Sequence, residues 1–433
     1  MADRASRPPA GGGQPQAKGS STLSIALGNR ICTLGSVRLD EDFFANPYEH
    51  YAHLRAGRSV HLVTSPDGTP AWLVTRYADV RAALSDPRLS TNAAHSNGCG
   101  YRGLPLPPAL RNDLLHLDPP DHTRLRRLVS HAFKRRSVES LRPLVQARAD
   151  ALLDALPDRS GGGGRPGERR GDLMASLALP LPLLVVCDLL GVPEEERGRI
   201  ASWTDTLLIP GRPAAVAAAM RDAERQLREV IARKRRRPGP DLLSGLIEAR
   251  DAQGRLSEDE LVSVAFVILA AGHETTASFI CNAVLALLDP RLHWERLLHH
   301  PELLPGAIEE LLRYDGPLSL AIRRFATEDM TIGGVRVRAG DSVLLSLASA
   351  NRDEEQFPCP DEVRLERMPQ GHLAFGRGTH LCLGIPLARL QAEIALSTLL
   401  RRAPKLELAV RREELIWRPS HRTRHLTALP VTF

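Results

Sequence analysis

The sequence has few aromatic residues, few cysteines and no apolar segment near its start. Only 4% of its 433 residues are Phe, Trp or Tyr, and no basic run is interleaved with aromatics, which argues against a nucleic-acid-binding protein. The six cysteines are scattered and include no C-x-x-C pair, so the spacing of a zinc site is absent. Such sparse cysteines are typical of a reducing cytoplasm, which is the compartment we predict.

The first 25 residues are rich in Pro, Gly and Ser, and they contain no apolar core. We therefore expect neither a signal peptide nor a membrane anchor, and we predict a disordered tail over residues 1–25. Residues 26–433 are predicted to form a single domain, with a flexible Gly-rich loop at 158–172. A net charge of +6 favours a basic face that docks an acidic protein.

A long apolar helix is predicted over residues 256–289. Ser257 and, three residues later, Glu260 match a capping box that begins it. From residue 262 to 271 the helix is apolar on nearly all sides, as in a buried core helix or a membrane span. A polar cluster at 273–276 interrupts the run, whereas a membrane span needs about 18 apolar residues, so we predict a core helix.

The polar cluster "AAGHETT" in this helix needs an explanation, because buried polar groups without partners are costly. Gly272 weakens a helix by about 1 kcal/mol relative to Ala. The Thr275 hydroxyl is able to bond back to the carbonyl of Ala271 and bend the helix. Together they predict a groove for a small molecule, with Glu274 as an acid that relays protons. A kinked core helix whose polar groups satisfy each other fits this stretch equally well.

The segment "HLAFGRGTHLCLG", residues 372–384, places glycines around Cys382. Glycine permits tight loops and close approach to the main chain. A helix is predicted from Gly384, so Cys382 lies at its N-terminus, where the helix dipole favours a thiolate. Such a thiolate is a nucleophile or a metal ligand. No further Cys or His completes a four-ligand site nearby, and one axial thiolate on a haem iron fits. A buried structural cysteine is the alternative.

Two further pairs are weaker signals. Glu310 and Arg313 are spaced for a local ion pair on one helix face, although such pairs are common on surfaces. His122 and Arg126 follow a Pro-Pro helix start at i, i+4, where they would grip a carboxylate or phosphate or form a solvated basic face.

Together these motifs resemble the cytochrome P450 family of haem-thiolate proteins. "AGHETT" matches the oxygen-activating motif [AG]-G-x-[DE]-T-T, and "ELLR" matches E-x-x-R. The segments that contain Arg324 and Arg367 are similar to two further family stretches, although Val363 and Arg364 replace the usual Phe-Asp. The pattern F-G-x-G-x-[HR]-x-C-x-G is matched by Phe375, Gly376, Gly378, His380, Cys382 and Gly384. The resemblance covers about residues 40 to 433.

The resemblance implies a mainly α fold with small β-sheets (α+β), the cytochrome P450 fold. Haem b would lie between the long oxygen-activating helix and the cysteine-loop helix, with Cys382 as the axial iron ligand. Glu274 and Thr275 would deliver protons for dioxygen activation. The implied propionate partners are His122, Arg126, Arg324 and His380, beside the cofactor-loop residues Phe375, Gly376 and Gly384. A structural network under the cysteine loop is implied for Glu310, Arg313 and Arg367.

The implied function is that of a soluble bacterial monooxygenase, which inserts one atom of dioxygen by hydroxylation or epoxidation. Its substrate would be a hydrophobic small molecule from natural-product biosynthesis, such as a polyketide or macrolide. The predicted substrate pocket is formed by Val267, Ala270, Ala271, Leu320, Ala321 and Ile322. A mobile lid loop is predicted over 206–216.

Electrons must come from outside the chain, because it contains no reductase domain. The resemblance implies NAD(P)H as their source, with ferredoxin and ferredoxin reductase as partners of a monomer. The predicted ferredoxin-docking residues are Arg124, Arg126, Arg127, Lys134, Arg135 and Arg136. The alternatives are a haem-thiolate enzyme of peroxygenation, desaturation or oxidative coupling, and a haem sensor without turnover.

Overall fold

The computed structural model describes residues 24–27, 30–33, 37–65, 67–98, 107–111, 113–155, 170–207, 213–251, 256–368, 370–420 and 422–433. Helices dominate this part of the chain, and the strands form small sheets beside them. The predicted α+β class with mainly α structure is confirmed.

Sixteen α-helices are present in the described ranges. In chain order, α1 to α16 span Glu41–Ala45, Pro47–Gly57, Tyr77–Ala83, Pro108–Arg111, Asp121–Ser130, Arg135–Glu139, Arg142–Asp154, Pro180–Leu190, Glu194–Leu207, Pro213–Arg236, Leu242–Asp251, Glu258–Leu288, Leu292–His299, Leu304–Asp315, Leu347–Ala350 and Ile385–Arg402.

Thirteen short strands are seen in the same ranges. In chain order, β1 to β13 span Ser24–Leu27, Arg30–Thr33, Val37–Arg38, Val60–Thr64, Pro70–Val74, Leu89–Ser90, Arg170–Asp172, Arg324–Ala326, Met330–Ile332, Val335–Val337, Ser342–Leu345, Glu407–Leu408 and Pro430–Thr432. The largest sheet has the order β3-β4-β5-β11-β8-β6. Its β4–β5 pair is antiparallel, and β5 runs parallel to β11, which joins an early and a late segment of the chain.

Three segments differ from their predicted boundaries. The Gly-rich loop was expected to end at residue 172, but Arg170–Asp172 form β7, because they pair with β13 at the far end of the chain. Residues 156–169 lie outside the described residues, as do 1–23 of the predicted tail, whereas Ser24–Leu27 form β1. The predicted lid at 206–216 is helical at both ends, since α9 ends at Leu207 and α10 begins at Pro213; residues 208–212 are not described.

The central element is α12, which begins with the predicted capping box. The Ser257 Oγ accepts a hydrogen bond from the Glu260 amide at 3.1 Å, and the Glu260 Oε2 accepts one from the Ser257 amide at 2.8 Å. By length and apolar composition α12 resembles a membrane span, but 72% of its apolar window is buried inside the fold. It packs against α4, α8, α14 and α16, so it forms the centre of the core.

The polar cluster does not break α12, which continues through it to Leu288. The Thr275 hydroxyl donates to the Ala271 carbonyl at 2.9 Å. Gly272 faces α8, where an added Cβ would lie 2.8 Å from Val186 Cγ2. The prediction that Gly272 helps to open a groove is therefore wrong: its missing side chain lets two core helices approach each other.

The Glu310–Arg313 pair is fully buried rather than on the surface. Both side chains are 0% exposed, and two guanidinium nitrogens of Arg313 donate to the Glu310 carboxylate at 2.8 and 2.9 Å. The Arg313 guanidinium also donates to the carbonyls of Asn351, Pro360 and Glu362. A buried ion pair is tolerated when its remaining hydrogen-bonding groups are satisfied, and here they bind segments that precede the cysteine loop.

Arg367 completes this network. Its Nε lies 3.1 Å from Glu310 Oε1, too poorly aligned for a hydrogen bond, while its terminal nitrogens donate to the carbonyls of Pro358 and Cys359. Where the family pattern has a carboxylate, the main-chain amide of Arg364 donates to Glu310 at 3.0 Å. The departure at Val363 and Arg364 therefore leaves the ion-pair cluster intact.

Replacing Glu310 by Gln leaves the Arg313 guanidinium buried without its counter-charge. We expect Glu310→Gln to lower the free energy of unfolding of the holoprotein by about 3 to 5 kcal/mol, measured by urea denaturation. The matched control is Glu362→Gln, because Glu362 and Arg364 form an exposed pair at 2.7 Å. That control should cost less than about 1 kcal/mol. Equal losses in the two variants would contradict the assigned burial.

Candidate active site

The cysteine loop is held by backbone hydrogen bonds and by two glycines with left-handed φ angles. Gly376 has φ +69° and Gly378 has φ +73°, and a Cβ at Gly378 would lie 2.7 Å from the Leu84 carbonyl oxygen. The Cys382 amide donates to the Phe375 carbonyl at 3.0 Å, which closes the loop. The loop therefore requires glycine at both positions, for φ in each and for space at Gly378.

Cys382 is accessible to solvent, although protein atoms surround its sulfur on most sides. This desolvation raises the pKa of the Cys382 thiol, while the main-chain amides of Gly384 and Ile385 and the Arg126 guanidinium oppose the rise. The amides of the helix N-terminus thus favour the thiolate, as predicted, but the burial of the sulfur outweighs their effect. A coordinated metal ion would deprotonate the thiol outright.

Gly384 leaves space beside this sulfur. It precedes α16 with φ −80°, which any residue adopts, and an added Cβ would lie 3.8 Å from Cys382 Sγ. Glycine is therefore not required here by backbone strain. Its missing side chain instead keeps the surface next to the sulfur open for a flat group.

Two arginines and two histidines converge beside the loop. The rings of His122, on α5, and His380 are 4.4 Å apart between centroids. Arg324, on β8, is 3% exposed, and its hydrogen bond to the Ile322 carbonyl is long at 3.4 Å. Arg126 donates to the Leu381 carbonyl at 2.6 Å, next to Cys382. These four predicted site residues, from three separate parts of the chain, are brought together.

The surroundings of this cluster lower the pKa values of its basic side chains and so disfavour their protonated forms. Burial lowers the pKa of Arg324 to about 10, although Asp118 partly offsets the effect. Burial, and then the neighbouring Arg324, His122 and Arg126, lower the pKa of His380 to about 3. Burial and Arg126 also lower the pKa of His122. Two imidazoles with lowered pKa values thus accompany the buried guanidinium of Arg324 and the half-buried guanidinium of Arg126, an arrangement that an incoming anion would stabilise.

A hydrogen-bonding atom of the cluster also has no protein partner. The His122 side chain is 1% exposed, and its Nδ1 is buried without a hydrogen bond. Such a group costs stability unless a ligand or water satisfies it. Buried cations, an unpartnered imidazole nitrogen and an open surface beside a cysteine sulfur fit a haem, whose propionates are carboxylates and whose iron binds a thiolate.

One side of α12 is less buried than the rest and bears the predicted oxygen-activating pair. Ala270, Ala271, Glu274 and Thr275 are half-buried or exposed, whereas the helix around them is buried. The Glu274 carboxylate accepts a hydrogen bond from the Thr423 hydroxyl at 3.1 Å. Burial raises the pKa of Glu274, against the opposing effects of Thr423 and two arginines. Glu274 therefore takes up a proton more readily than an exposed glutamate does.

The predicted pocket residues divide into two groups. Ala321 and Ile322 are half-buried, and Val267 is 7% exposed on α12, one turn before Ala271. Leu320 is 2% exposed and belongs to a separate apolar cluster with Phe43 and Leu344. Leu320 is therefore packed in the core, and its assignment to the pocket stays a prediction.

The cations of the basic face predicted for docking differ in their exposure and in their pairing within the chain. Arg127, Lys134, Arg135 and Arg136 are exposed. Arg124 is bound by the Glu260 carboxylate at the start of α12, and the carboxylate of Asp121 lies 3.5 Å away. Arg124 is thus paired within the chain, and its part in docking stays a prediction.

Sequence reasoning missed two groups of contacts at the site. Asn351 links the buried ion pair to the cysteine loop, since its carbonyl accepts from Arg313 and its side chain accepts from the Leu373 amide at 2.6 Å. It lies in the "ANRD" segment of the family resemblance, so a signal was available. Thr423, which donates to Glu274, and Ser420, which accepts from Thr423, lie in no motif, and no local signal marks them.

Comparison with known proteins agrees with this geometry. Residues 214–408 match the family model for Cytochrome P450. The chain is 44% identical over 397 residues to cytochrome P450 monooxygenase PikC of Streptomyces venezuelae, covering 91% of this chain and 92% of that protein. It is 40% identical to mycinamicin IV hydroxylase/epoxidase of Micromonospora griseorubida, covering 88% and 94% of the two chains.

A solved structure shares the fold over nearly its whole length. The tirandamycin C-bound P450 monooxygenase TamI superposes with a TM-score of 0.84 at 44% identity, covering 91% of this chain and 99% of that one. The range matched by the family model includes the cysteine loop and the helix of Glu274 and Thr275. The chain therefore belongs to the cytochrome P450 family, and it is a haem-thiolate monooxygenase.

Proposed function

We propose that the chain inserts one atom of dioxygen, by hydroxylation or epoxidation, into a hydrophobic macrolide or polyketide. The side of α12 that faces away from the core presents Ala270 and Ala271, and Ala321 and Ile322 are similarly small or apolar. Such a lining favours an apolar substrate held by shape. The names of two relatives support the class: one hydroxylates or epoxidises mycinamicin IV, and the other is described with tirandamycin C.

The buried cation cluster is the observation that carries the cofactor assignment. We propose that Arg324, Arg126, His122 and His380 bind the haem propionates, and that Cys382 binds the iron. Phe375 and Gly376 shape the loop against which the macrocycle lies, and Gly384 leaves the space for it. The bound haem supplies dioxygen activation, to which the thiolate contributes electron density. The residues of the chain orient the haem, provide the positive charge that binds its propionates and exclude water from it.

Glu274 and Thr275 are proposed to supply protons to that reaction. The Thr275 hydroxyl holds its position by donating to the Ala271 carbonyl, and it remains on the accessible side of the helix. Glu274 lies one residue earlier, and burial raises the pKa of its carboxyl group, so it takes up a proton more readily than an exposed glutamate does. A positioned side chain that takes up and releases a proton is able to act as a general acid.

We further propose a cytoplasmic monomer that receives electrons from NAD(P)H through ferredoxin reductase and ferredoxin. Arg127 and the exposed cations at 134–136 form a basic surface next to α5, which carries the haem-facing His122 and Arg126. This surface suits an acidic electron carrier. Residues 26–433 are proposed as the single catalytic domain, with neither nucleic acid nor membrane among its partners.

The thiolate assignment predicts a distinctive spectrum. Reduced holoprotein under carbon monoxide should show the red-shifted Soret band of thiolate-ligated haem, because the sulfur donates electron density to the iron. Cys382→His should move the band to the position of an imidazole-ligated centre, while the buried free cysteine variant Cys187→Ser should leave it in place. A wild-type spectrum typical of imidazole ligation would overturn the assignment.

The proton-delivery assignment predicts uncoupling. Thr275→Ala should lower product formed per NADPH by about tenfold or more, because it removes a positioned proton donor. Thr275→Ser keeps the hydroxyl and should retain most of the coupling. Product and NADPH are measured together with a plant-type ferredoxin and its reductase. Unchanged product per NADPH in Thr275→Ala would contradict the assignment and favour peroxygenation or another haem-thiolate reaction.

The substrate class is tested by a spectral-shift screen of ferric holoprotein. Macrolactones should displace the iron-bound water and shift the Soret band at micromolar concentration, and the bound compounds should be converted to singly oxygenated products detected by mass spectrometry. Fatty acids of similar hydrophobicity serve as the control set. Binding confined to the fatty acids would contradict the macrolide or polyketide class, and binding without turnover would favour a sensor.

A further inference from the structure

A carboxylate on α14 joins two elements that support the cysteine loop. Glu309 precedes the buried Glu310 and accepts two hydrogen bonds from Arg389 of α16, from its Nε at 2.7 Å and from its Nη2 at 2.6 Å. The same carboxylate lies 3.1 Å from the Nε2 of His372, where the cysteine-loop segment begins. Glu309 therefore connects the helix that follows Cys382 with the start of the loop that carries it.

Hydrogen bonding determines which nitrogen of His372 faces this carboxylate with a hydrogen. The Ala374 amide donates to the His372 Nδ1 at 3.3 Å, so this nitrogen is an acceptor and the ring hydrogen lies on Nε2. The Nε2–H group then donates to Glu309. The His372 side chain is 6% exposed, so this contact is largely shielded from water. Glu309 is thus bound by the loop on one side and by the Arg389 guanidinium on the other.

The Arg389 guanidinium lies close to the aromatic ring of the cysteine loop. Its Cζ is 5.4 Å from the centroid of the Phe375 ring, a distance at which a cation is attracted to an aromatic face. The Phe375 carbonyl in turn accepts from the Cys382 amide at 3.0 Å. The positive charge of Arg389 is thereby placed next to the residue that closes the loop around the sulfur.

The cation and the loop share one open groove of about 510 Å³. Arg389 lines this groove together with Phe375, Gly376 and Leu381, and Leu381 directly precedes Cys382. The Arg389 side chain is 45% exposed, so water and salt weaken its electric field at the loop. The charge is therefore close enough to act on the cysteine loop, and its effect depends on ionic strength.

Both members of the Glu309–Arg389 pair are charged near neutral pH. Desolvation acts to raise the pKa of Glu309, but the hydrogen bonds and charges of His372 and Arg389 outweigh it and lower this pKa to about 2. A guanidinium is protonated throughout the range in which proteins are folded. Two opposite charges thus lie beside the cysteine loop, and each is removable by a single substitution.

We propose that Arg389 and Glu309 tune the reduction potential of the haem iron through the cysteine loop, with Arg389 raising it and Glu309 lowering it. A nearby cation stabilises the reduced centre, which carries one more electron, and a nearby anion destabilises it. The step affected is the transfer of one electron from the proposed ferredoxin, which is oxidised, to the ferric iron, which becomes ferrous. The inference rests on the proposed binding of the iron by Cys382.

The experiment measures the ferrous-to-ferric ratio of the holoprotein at a fixed applied potential, by spectroelectrochemistry without a protein partner. Arg389→Gln should lower this ratio by about threefold, and Glu309→Gln should raise it by about threefold, because each removes one charge that solvent partly screens. Glu309→Gln keeps a side-chain oxygen that accepts from Arg389, so the cation stays near the loop. The double variant should resemble the wild type, since it removes both charges.

Three controls separate charge from packing. Arg389→Lys keeps the charge but loses the paired hydrogen bonds to Glu309, and its ratio should stay close to that of the wild type. Arg411→Gln is the matched control, because Arg411 forms an exposed pair with Glu414 at 2.6 Å and does not line the groove; its ratio should not change. In 1 M salt, where the Debye length is about 3 Å, the opposite shifts of the two single variants should shrink.

The outcomes distinguish this inference from the function on which it rests. Shifts of Arg389→Gln and Glu309→Gln in the same direction would show a disturbed loop and overturn the assigned charges, as would an Arg389→Lys ratio equal to that of Arg389→Gln. The spectrum of each reduced sample under carbon monoxide is recorded as well. A wild type without the thiolate band contradicts the role of Cys382, whereas a normal band with unmoved ratios contradicts only the tuning by Arg389 and Glu309.

Discussion

The site depends on the burial of the Arg324 guanidinium, which lacks a full counter-charge within the described chain and lies near the half-buried Arg126. Arg324 is 3% exposed with its pKa lowered to about 10, and burial, followed by the neighbouring cations, lowers the pKa values of His380 and His122. Removing a charge from water is expensive, so such a cluster is stable when an anion enters it. Haem propionates would satisfy this requirement, and the proposed contacts of these groups with the propionates would bring the cofactor to Cys382 and its glycine-containing loop. The electrostatic demand and the cofactor's position are thus the same constraint.

The buried network beneath the cysteine loop makes that loop rigid. Arg313 is 1% exposed and binds Glu310 together with three main-chain carbonyls, so the segments before the cysteine loop are tied to α14. Asn351 extends the same network to the Leu373 amide, where the loop begins. A ligand sulfur would have to keep its position, and a buried network in which Arg313 and Asn351 bind several segments holds the loop that carries it.

The two sides of the site control protons in opposite ways. On the propionate side, desolvation and neighbouring cations lower the pKa of His380 and His122, which suppresses positive charge. On the α12 side, burial raises the pKa of Glu274, so the same physical effect favours a protonated acid near the substrate. Burial therefore disfavours positive charge on the histidines of one side, and it favours the protonated carboxyl group of Glu274 on the other.

Features that depend on neighbouring residues were predictable from the sequence. The capping box of α12, the β4–β5 hairpin, the bond from Thr275 to Ala271 and the start of α16 close to Cys382 all follow from local spacing and backbone chemistry. The cysteine-loop pattern was likewise sufficient to indicate the family, because its glycines meet local requirements of φ and space.

Features that depend on distant partners appeared only in the tertiary structure. The end of the Gly-rich segment is a strand because β13 pairs with it, and Leu320 is in the core because Phe43 and Leu344 cover it. Thr423 meets Glu274 across 149 residues of sequence. By itself, the sequence determined which groups carry the chemistry and the local shape of the loop and helix that bear them. The tertiary structure decided which of those groups are desolvated and which meet, because burial and long-range pairing are properties of the packed chain.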